Sequence, residues 1–376
     1  MNWSDPNFMF NWQRDMGPKT EKSLSGASLS NWTVQKILNL ASEDIKSKWS
    51  DLAMQYASIG GGEKLKVQIS SQYENISPEN IVVFSGAQEA LTCAYLTLLD
   101  SSSEVVGLTP SYSPMNLACK KTGASLVEQP LTFTDQNWHL DFNQLNQKIS
   151  NKINLLVVNF PHNPTGFIPN LKDWQLVIKQ AESKGCRVLC DEVFKGLEYS
   201  KEVALPSLCD LSEQGVSVGS MAKSYGCPSL RIGWVATQDK ALVEKLLIVK
   251  RYFSICSSLL DEFLATIMIE NKEIVLSENT QFIKERYDDL KENFNPHLNN
   301  KIFFSDLKAG LVLFPQLTNG TDAVSFCTNF LNESGFRLEP GLCFGKEYKS
   351  HFRIGLGGKD FSEGIESLRS YLSTNA

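Results

Sequence analysis

Short apolar segments alternate with longer amphipathic segments from about residue 80 onward, and this alternation limits the possible fold more than any other feature of the sequence. The short segments have the length and residue types of buried strands, and the longer segments carry helical periodicity. Alternation of this kind predicts an α/β fold, with a mostly parallel central sheet flanked by helices on both faces. The predicted strands are 81–84, 104–108, 153–159, 186–190, 216–219 and 232–236, and the helices between them are 88–99, 114–121 and 171–184.

The character of the sequence changes after about residue 262. A long amphipathic stretch over 261–293 leads into strand-like pieces near 311–315 and 352–356. We interpret this part as a smaller α+β domain that is completed by the first forty or so residues. The sequence therefore predicts a large domain over 42–262 and a small domain built from 1–41 and 263–376.

Polar clusters follow five of the predicted strands. Ligands of parallel α/β sheets bind beyond the carboxyl ends of the strands, so these clusters are expected to meet at one edge of the sheet. The pattern predicts a single ligand site there. The clusters are 85–88, 109–112, 159–166, 191–192 and 220–223.

Composition and charge exclude several classes of protein. The net charge of −6 gives no basic footprint for nucleic acid or for an anionic membrane. The first ten residues do not have the pattern of a secretory signal, and no apolar stretch approaches the length of a bilayer span. Nine scattered cysteines and four histidines show no metal-ligand spacing, which favours a reduced core and a cytoplasmic protein.

Lys223 is the strongest candidate for a reactive residue. It follows a predicted buried strand, where poor solvation should lower the pKa of its amine, as a Schiff-base lysine requires. Ser220 and Arg231 supply a hydroxyl and a guanidinium, both suited to a phosphate. A lone lysine is usually a solvated surface residue, but the surrounding pattern outweighs that interpretation.

Two further clusters support the same site. Asp191 ends a predicted buried strand, and a buried carboxylate requires a positively charged partner. Gly86, Ala87 and Gln88 open a predicted helix, where backbone N–H groups and the helix dipole favour a phosphate. Taken alone this glycine turn is a weak signal, because many strand–helix turns use glycine.

The motif around Lys223 resembles the cofactor-lysine signature of class I/II aminotransferases. It consists of Ser-x-x-Lys over 220–223, Arg231 and Gly-Trp over 233–234. Other motifs of that family follow in the same order, namely Asn-Pro-Thr-Gly over 163–166, Asp-Glu-Val-Phe over 191–194 and Phe-Arg-Ile-Gly over 352–355. The resemblance extends from about Tyr56 to the C-terminus. It implies pyridoxal 5'-phosphate (PLP) as cofactor and the PLP-dependent transferase fold type I.

The resemblance also implies a role for each matching residue. Lys223 would carry PLP as a Schiff base and move protons, and Asp191 would hold the pyridine nitrogen in its protonated form. Asn163 would contact the 3'-oxygen of the cofactor and the substrate carboxylate, and Arg353 would bind the substrate α-carboxylate. Tyr112 would stack on the pyridine ring, although an isolated tyrosine is more often a packing residue. The phosphate would be held by Gly86, Ala87, Gln88, Ser220 and Arg231.

Tyr56 resembles the family tyrosine that reaches the cofactor phosphate of the neighbouring subunit, which implies a homodimer with shared active sites. Phe194 departs from the family pattern, which usually has tyrosine in this part of the cofactor site. Loss of that hydroxyl removes a hydrogen bond to the 3'-oxygen. This difference weakens the prediction of ordinary transamination.

The choice of reaction depends on a finer resemblance. Segments at 110–114, 191–198 and 339–345 resemble the branch that contains capreomycidine synthase and PLP-dependent enzymes of arginine metabolism, and within it the L-enduracididine cyclases of natural-product biosynthesis. This likeness implies a lyase that takes a guanidino-bearing substrate, 4-hydroxy-L-arginine, expels the γ-hydroxyl as water and closes a ring through the guanidine. The oxygen-using arginine hydroxylases of the branch carry an Asp-Gly-His segment that is absent from 23–29.

The cyclase has two alternatives. An aminotransferase that moves an amino group from an L-amino acid to a 2-oxo acid stays open. A regulator with an aminotransferase-like domain is discarded, because no basic DNA-binding segment accompanies the motifs. Candidates for binding a substrate guanidinium are Glu192, Glu198 and the N-terminal segment.

Overall fold

The computed structural model describes residues 8–16, 19–20, 22–29, 31–298, 301–318 and 320–375, with side chains for all of these except 293–298 and 375. The largest sheet in these residues has eight strands. In chain order they are β1 (Ile81–Phe84), β2 (Glu104–Thr109), β3 (Ser125–Thr134), β4 (Asn137–Leu140), β5 (Ile153–Asn159), β6 (Arg187–Asp191), β7 (Val216–Ser220) and β8 (Gly233–Ala236).

Parallel pairing forms the middle of this sheet. The spatial order is β1-β8-β7-β6-β5-β2-β3-β4. The pairs β3–β2, β2–β5, β5–β6 and β6–β7 are parallel. Strand β8 runs antiparallel to both β7 and β1, and β4 runs antiparallel to β3. The predicted mostly parallel central sheet is confirmed.

Helices cover the sheet and form much of the C-terminal part of the molecule. None of the described helices is long and apolar enough to cross a membrane. In the described residues the helices are α1 (Phe8–Met16), α2 (Val34–Leu38), α3 (Glu43–Ser50), α4 (Glu63–Ser70), α5 (Ala87–Leu98), α6 (Ser113–Lys121), α7 (Phe142–Lys148), α8 (Leu171–Ser183), α9 (Leu208–Leu211), α10 (Lys240–Arg251), α11 (Leu259–Glu270), α12 (Lys272–Leu298), α13 (Ala323–Ser334) and α14 (Phe361–Asn375).

Helix α8 illustrates how local sequence sets these boundaries. The side chain of Asn170 accepts a hydrogen bond from the backbone N–H of Asp173 and so caps the first turn. Trp174, Val177 and Ile178 recur at helical spacing and are buried against the sheet side of the core. A capping residue followed by an apolar stripe is the pattern that made this helix predictable from sequence.

Five short strands form two small sheets in the C-terminal part. Strands β10, β13 and β12 form one sheet in that order, and β11 pairs with β9 in the other. Register places Glu339 directly opposite Arg353 across β12 and β13. The strands are β9 (Ile302–Phe303), β10 (Val312–Leu313), β11 (Gln316–Leu317), β12 (Glu339–Pro340) and β13 (Phe352–Gly355).

The N-terminal segment is attached to this C-terminal sheet. The backbone N–H of Leu24 donates to the carbonyl of Arg337 at 3.0 Å, and the N–H of Gly355 donates to the carbonyl of Leu24 at 2.7 Å. Trp12 of α1 donates its indole N–H to the carbonyl of Leu338 at 2.9 Å. These contacts agree with a small domain completed by the N-terminus, while the boundaries 42–262 and 1–41 with 263–376 stay a prediction.

Two elements differ from the pattern read in the sequence. The β3–β4 hairpin was missed because β3 leaves most of its side chains exposed or half-buried, so it lacks the continuous apolar run of a central strand. The amphipathic stretch predicted over 261–293 is divided between α11 and α12, which meet at Asn271.

The carboxyl ends of the central strands lie side by side. Asn159 at the end of β5 pairs in register with Asp191 at the end of β6, and Asp191 pairs with Val218 of β7. Ser220 ends β7 opposite Gly233 of β8. Polar residues from separate segments of sequence are thereby brought to one edge of the sheet.

Candidate active site

A cavity of about 400 Å³ opens at this edge of the sheet. Its walls come from the strand ends, from the N-terminal segment and from the small C-terminal sheet. The residues predicted from sequence as site residues that line it are Ala87, Gln88, Tyr112, Asn163, Asp191, Ser220, Lys223, Arg231 and Arg353.

Lys223 follows β7 and extends its amine into the cavity. Its Nζ donates a hydrogen bond to the carbonyl of Ala27 at 2.6 Å. Burial and the nearby guanidinium of Arg353 lower the pKa of the Lys223 amine to about 8, while the carboxylates of Asp191 and Glu339 act in the opposite direction. The lowered pKa gives this amine a larger neutral fraction near neutral pH than an ordinary lysine has, which favours its action as a nucleophile.

Asp191 ends β6 and is buried at 5% exposure. The backbone N–H of Val193 donates to its Oδ1 at 3.1 Å. Burial raises the pKa of the Asp191 carboxyl to about 7, whereas the Val193 hydrogen bond and the charge of Lys223 lower it. No cationic nitrogen of the described residues lies within 4.0 Å of this carboxylate. It is therefore a buried acid that is suited to a positively charged ligand group.

The turn between β1 and α5 leaves room for a ligand at the helix N-terminus. Gly86 has a φ of 90°, a conformation that favours glycine, and it precedes the first residue of α5. A Cβ at Gly86 would collide with the guanidinium of Arg231. The absent side chain therefore lets Arg231 lie against the free N–H groups of the helix, an arrangement that attracts an anion.

Neighbouring groups hold this turn in place. The carboxylate of Glu89 accepts a hydrogen bond from the backbone N–H of Ser85 at 2.7 Å. Arg231 donates from Nη1 to the carbonyl of Pro228 at 2.9 Å, which leaves other guanidinium N–H groups for a ligand. Ser220 is buried, and its hydroxyl accepts from the N–H of Ala222 at 3.0 Å.

The opposite end of the cavity is built around Arg353 of β13. Its Nε donates to the carbonyl of Ser25 at 2.9 Å, and its Nη1 donates to Oδ1 of Asn163 at 3.2 Å. Its Nη2 donates to Oε2 of Glu339 at 2.5 Å. Gln13 of α1 donates to the other oxygen of Glu339 at 2.7 Å. The guanidinium is thus hydrogen-bonded to three segments of the chain before any substrate binds, and a fourth segment holds Glu339.

The structure does not bring every predicted residue to the cavity. Phe194 is 0% exposed and is absent from the described lining, because its ring turns into the core against Gly310. Tyr56 is 84% exposed and lines a separate groove formed by residues 52–57 and 254–260. Tyr112 precedes α6 and lines the cavity, while its stacking on the pyridine ring stays a prediction. The cofactor contacts assigned to Phe194 and Tyr56 stay predictions.

The lining residues that were not among the predicted site residues include Gln13, Ser23, Ala27, Arg337 and Glu339. The last two carried a usable signal. Phe336 and Leu338 are buried in the core and alternate with Arg337 and Glu339, a period of two that places both charged residues on the other face of the chain. No comparable signal marks Gln13, Ser23 or Ala27, because their position depends on tertiary contacts.

Two acidic residues proposed as guanidinium ligands lie elsewhere. Glu192 is buried, and its Oε1 accepts from the N–H of Leu208 at 2.7 Å and from the hydroxyl of Ser217 at 3.0 Å. Glu198 accepts from the N–H of Gly196 at 2.8 Å. Both line a different cavity of about 260 Å³. The acidic side chains of the candidate active site are Asp191 and Glu339 among the described lining residues.

Comparison with known protein families gives one match that spans most of the chain. The model of the family "Aminotransferase class I and II" matches residues 30–363. Capreomycidine synthase of Streptomyces vinaceus is 24% identical over 97% of this chain and 93% of its own length. An aspartate aminotransferase of Thermotoga maritima is 25% identical over 83% of this chain and 81% of its own length.

Solved structures share the fold over nearly the whole chain. A PLP-dependent aminotransferase from Streptococcus suis superposes with a TM-score of 0.89 at 24% identity, covering 98% of both chains. The PLP-dependent cyclase OrfR superposes with a TM-score of 0.89 at 20% identity, covering 100% of this chain and 99% of the other. The fold is therefore PLP-dependent transferase fold type I.

PLP is the cofactor that follows from this family and fold, and the cavity fits it. Asp191 offers a buried carboxylate without a cationic partner in the described residues, which suits the ring nitrogen. The helix N-terminus at Gly86 and the guanidinium of Arg231 suit the phosphate. When bound, PLP supplies an electron-withdrawing ring that weakens the bonds at the Cα of an amino acid.

Proposed function

The chain belongs to the class I and II aminotransferase family, and we propose that it is a PLP-dependent cyclase that converts 4-hydroxy-L-arginine to L-enduracididine. The observation that carries the proposal is the extent of its likeness to capreomycidine synthase, which spans 97% of this chain and 93% of the relative. The likeness to the aspartate aminotransferase spans 83% of this chain and 81% of that relative. The fold is shared with the cyclase OrfR and, at the same TM-score of 0.89, with an aminotransferase, so it is compatible with both reactions.

The proposed reaction removes one water and consumes no other reactant. Cα and Cβ of the substrate each lose a proton, and the C–O bond at Cγ breaks so that the hydroxyl leaves as water. A terminal guanidine nitrogen then bonds to Cγ and gives up its proton, and protons return to Cβ and Cα. The product therefore equals the substrate minus one water.

The side chains of the cavity have distinct tasks in this proposal. Lys223 moves protons at Cα, since its amine faces the cavity and has a pKa of about 8. Arg353 and Asn163 hold the α-carboxylate, because both point to the same end of the cavity and are hydrogen-bonded to each other at 3.2 Å. Asp191 holds the cofactor ring, and Ser220, Arg231 and the turn at 86–88 hold its phosphate.

Transamination is the second candidate. Its support is the likeness to aspartate aminotransferases, of which the Thermotoga maritima protein is 25% identical. An aminotransferase must release a keto acid in its first half-reaction and needs a second keto acid to regain its starting form. A cyclase keeps the amino group on the substrate throughout. The two candidates therefore differ in their need for a keto acid.

The deciding experiment incubates the PLP-loaded protein with 4-hydroxy-L-arginine in deuterated water, with and without 2-oxoglutarate. The cyclase is expected to form a product lighter by one water without 2-oxoglutarate, and to place deuterium at both Cα and Cβ. Mass spectrometry and NMR of the product measure both quantities. Stoichiometric keto acid formation, or a strict requirement for 2-oxoglutarate, would contradict the cyclase and favour transamination.

A further inference from the structure

The carboxylate-binding end of the cavity contains a negative charge of its own. Glu339 and Arg353 face each other across β12 and β13, so the register of the small sheet sets their approach. Both are buried, at 4% and 6% exposure, and both line the cavity. Their ion pair therefore lies inside the substrate site and is shielded from bulk water.

Glu339 is held on both of its oxygens. Oε2 accepts from Nη2 of Arg353 at 2.5 Å, and Oε1 accepts from Nε2 of Gln13 at 2.7 Å. A carboxylate with two fixed partners and a backbone position set by strand pairing has little freedom to swing away when a ligand enters. Its charge is consequently a permanent part of the site.

A second guanidinium lines the same part of the cavity. Arg337 lies two residues before Glu339, and its Nε is buried without a hydrogen-bond partner among the described residues. The ion pairs within the described part of the chain do not include Arg337. A buried donor without a partner is costly, so it is suited to a ligand acceptor.

Apart from Asp191, Lys223 and Arg231, which are assigned to the cofactor, the charged side chains that line the cavity sum to a single positive charge. Arg337 and Arg353 contribute two positive charges, and Glu339 removes one. One α-carboxylate neutralises the remainder, whereas a second carboxylate on the same ligand would leave an excess negative charge in a buried site. Such an uncompensated charge is strongly unfavourable.

We propose that Glu339 is a specificity-determining residue that limits the substrate to amino acids with one carboxylate. The proposal deepens the function proposed above and rests on it in taking this cavity as the amino-acid site. It does not depend on ring closure. It excludes the dicarboxylic amino acids that an aspartate aminotransferase takes, and it leaves neutral and cationic side chains as the substrate class.

L-Glutamine and L-glutamate provide a matched pair of probes, because they have the same shape and differ by one charge. Their apparent dissociation constants are measured from the absorbance change of the PLP-loaded enzyme immediately after mixing. The native enzyme is expected to bind L-glutamine at least about 10-fold more tightly than L-glutamate. Glu339→Gln is expected to shift this ratio toward L-glutamate by about 10-fold or more, because two uncompensated positive charges then remain.

Two further variants separate charge from structural damage. Adding Arg337→Gln to Glu339→Gln restores one net positive charge and should restore the preference for L-glutamine. Glu366→Gln makes the same chemical change on the surface of α14, where Glu366 pairs with Arg369, and should leave the ratio unchanged. Loss of packing would weaken the binding of L-glutamine and L-glutamate together and would leave the ratio of their dissociation constants unchanged.

Equal binding of the two probes by the native enzyme would overturn the proposal, and so would an unchanged ratio in Glu339→Gln. The native ratio tests the proposal even where a variant does not fold. Failure of the proposed cyclase is detected separately, by the absence of a dehydrated product from 4-hydroxy-L-arginine. The two failures are thus distinguishable.

Discussion

Asp191 ends β6, Lys223 lies three residues beyond the end of the adjacent parallel strand β7, and each stabilises the charged form of the other across the cavity. The positive charge of Lys223 lowers the pKa of the Asp191 carboxyl, and the negative charge of Asp191 raises the pKa of the Lys223 amine. Burial acts against both charges and is the larger effect in each case. The cofactor-free site therefore contains an acid and a base that both titrate near neutral pH.

Lys223→Ala is expected to lower the reaction rate by about 100-fold or more, because the variant lacks the amine that moves protons. The phosphate-binding turn at 86–88 is unchanged, so the variant should still bind some PLP. Borohydride reduction of the native protein should fix PLP on Lys223, and peptide mass spectrometry identifies the site. Lys201→Ala, which changes an exposed lysine, serves as the control. A colourless native protein, or label on another lysine, would contradict the prediction.

Asp191→Asn is expected to stabilise the cofactor-free protein above pH 7 and to weaken its binding of PLP. Burial raises the Asp191 pKa from its ordinary 3.8 to about 7, so the folded cofactor-free protein binds this proton more tightly than the unfolded chain. The contribution of Asp191 to the free energy of unfolding should then fall as pH rises from about 4 to 7, by on the order of 2–4 kcal/mol, and stay level above that range.

The neutral amide of Asp191→Asn should remove this fall. The variant is expected to have a higher Tm than the native protein above pH 7 when both lack PLP, and to retain less PLP after dialysis. Calorimetry across pH and the absorbance of bound PLP measure the two effects. Parallel Tm profiles for native and variant proteins would show that Asp191 does not titrate in this range.

Gly86→Ala is expected to weaken PLP binding by about 10-fold or more, because its Cβ would displace Arg231 in addition to straining a backbone with φ of 90°. Gly185→Ala is a matched control. Gly185 has a φ of 71°, and a Cβ there would meet no atom within 4 Å. Both variants carry backbone strain, so weaker PLP binding by Gly86→Ala alone shows that the effect arises at the turn beside Arg231. Equal PLP affinities of the two variants would show that Arg231 does not contribute to the phosphate site.

Tyr56 leads us to predict a homodimer in solution. Its side chain is 84% exposed in the single chain, and Met54 and Tyr252 are exposed to a similar degree. Light scattering should give the mass of two chains. Tyr56→Phe should weaken PLP retention without changing the product, whereas Tyr252→Phe should have no such effect. A fully active monomer would contradict the shared active site.

The central sheet was predictable because its strands are buried on both faces and read as continuous apolar runs. The predicted bounds of β5 agree with the structure at both ends, and those of β6 and β7 agree to within one residue. The β3–β4 hairpin could not be found in this way, since β3 leaves most of its side chains exposed or half-buried and β4 is a short edge strand. The short strands of the C-terminal sheet are too brief for any periodicity to show.

The candidate site was predictable where its residues follow strands. Lys223, Asp191 and Asn163 stand at strand ends or just beyond them, so their convergence follows from parallel pairing. Gln13 and Ala27 reach the cavity only through the docking of the N-terminal segment on the C-terminal sheet. Phe194 follows a strand as well, but its large apolar ring is accommodated in the core instead of the cavity.

The attachment of the N-terminal segment to the C-terminal sheet determines when the site can form. The hydrogen bond from Arg353 to Ser25 joins residues that are 328 positions apart in the sequence, and the bond from Trp12 to Leu338 spans 326. Ribosomes add about 5–20 residues per second, so Ser25 waits many seconds before its partner is made. The large sheet can assemble during that interval, but one wall of the cavity cannot. The substrate-binding end of the cavity therefore forms only in chains whose synthesis has passed Arg353, although the residues proposed to hold PLP, between Gly86 and Arg231, are made earlier.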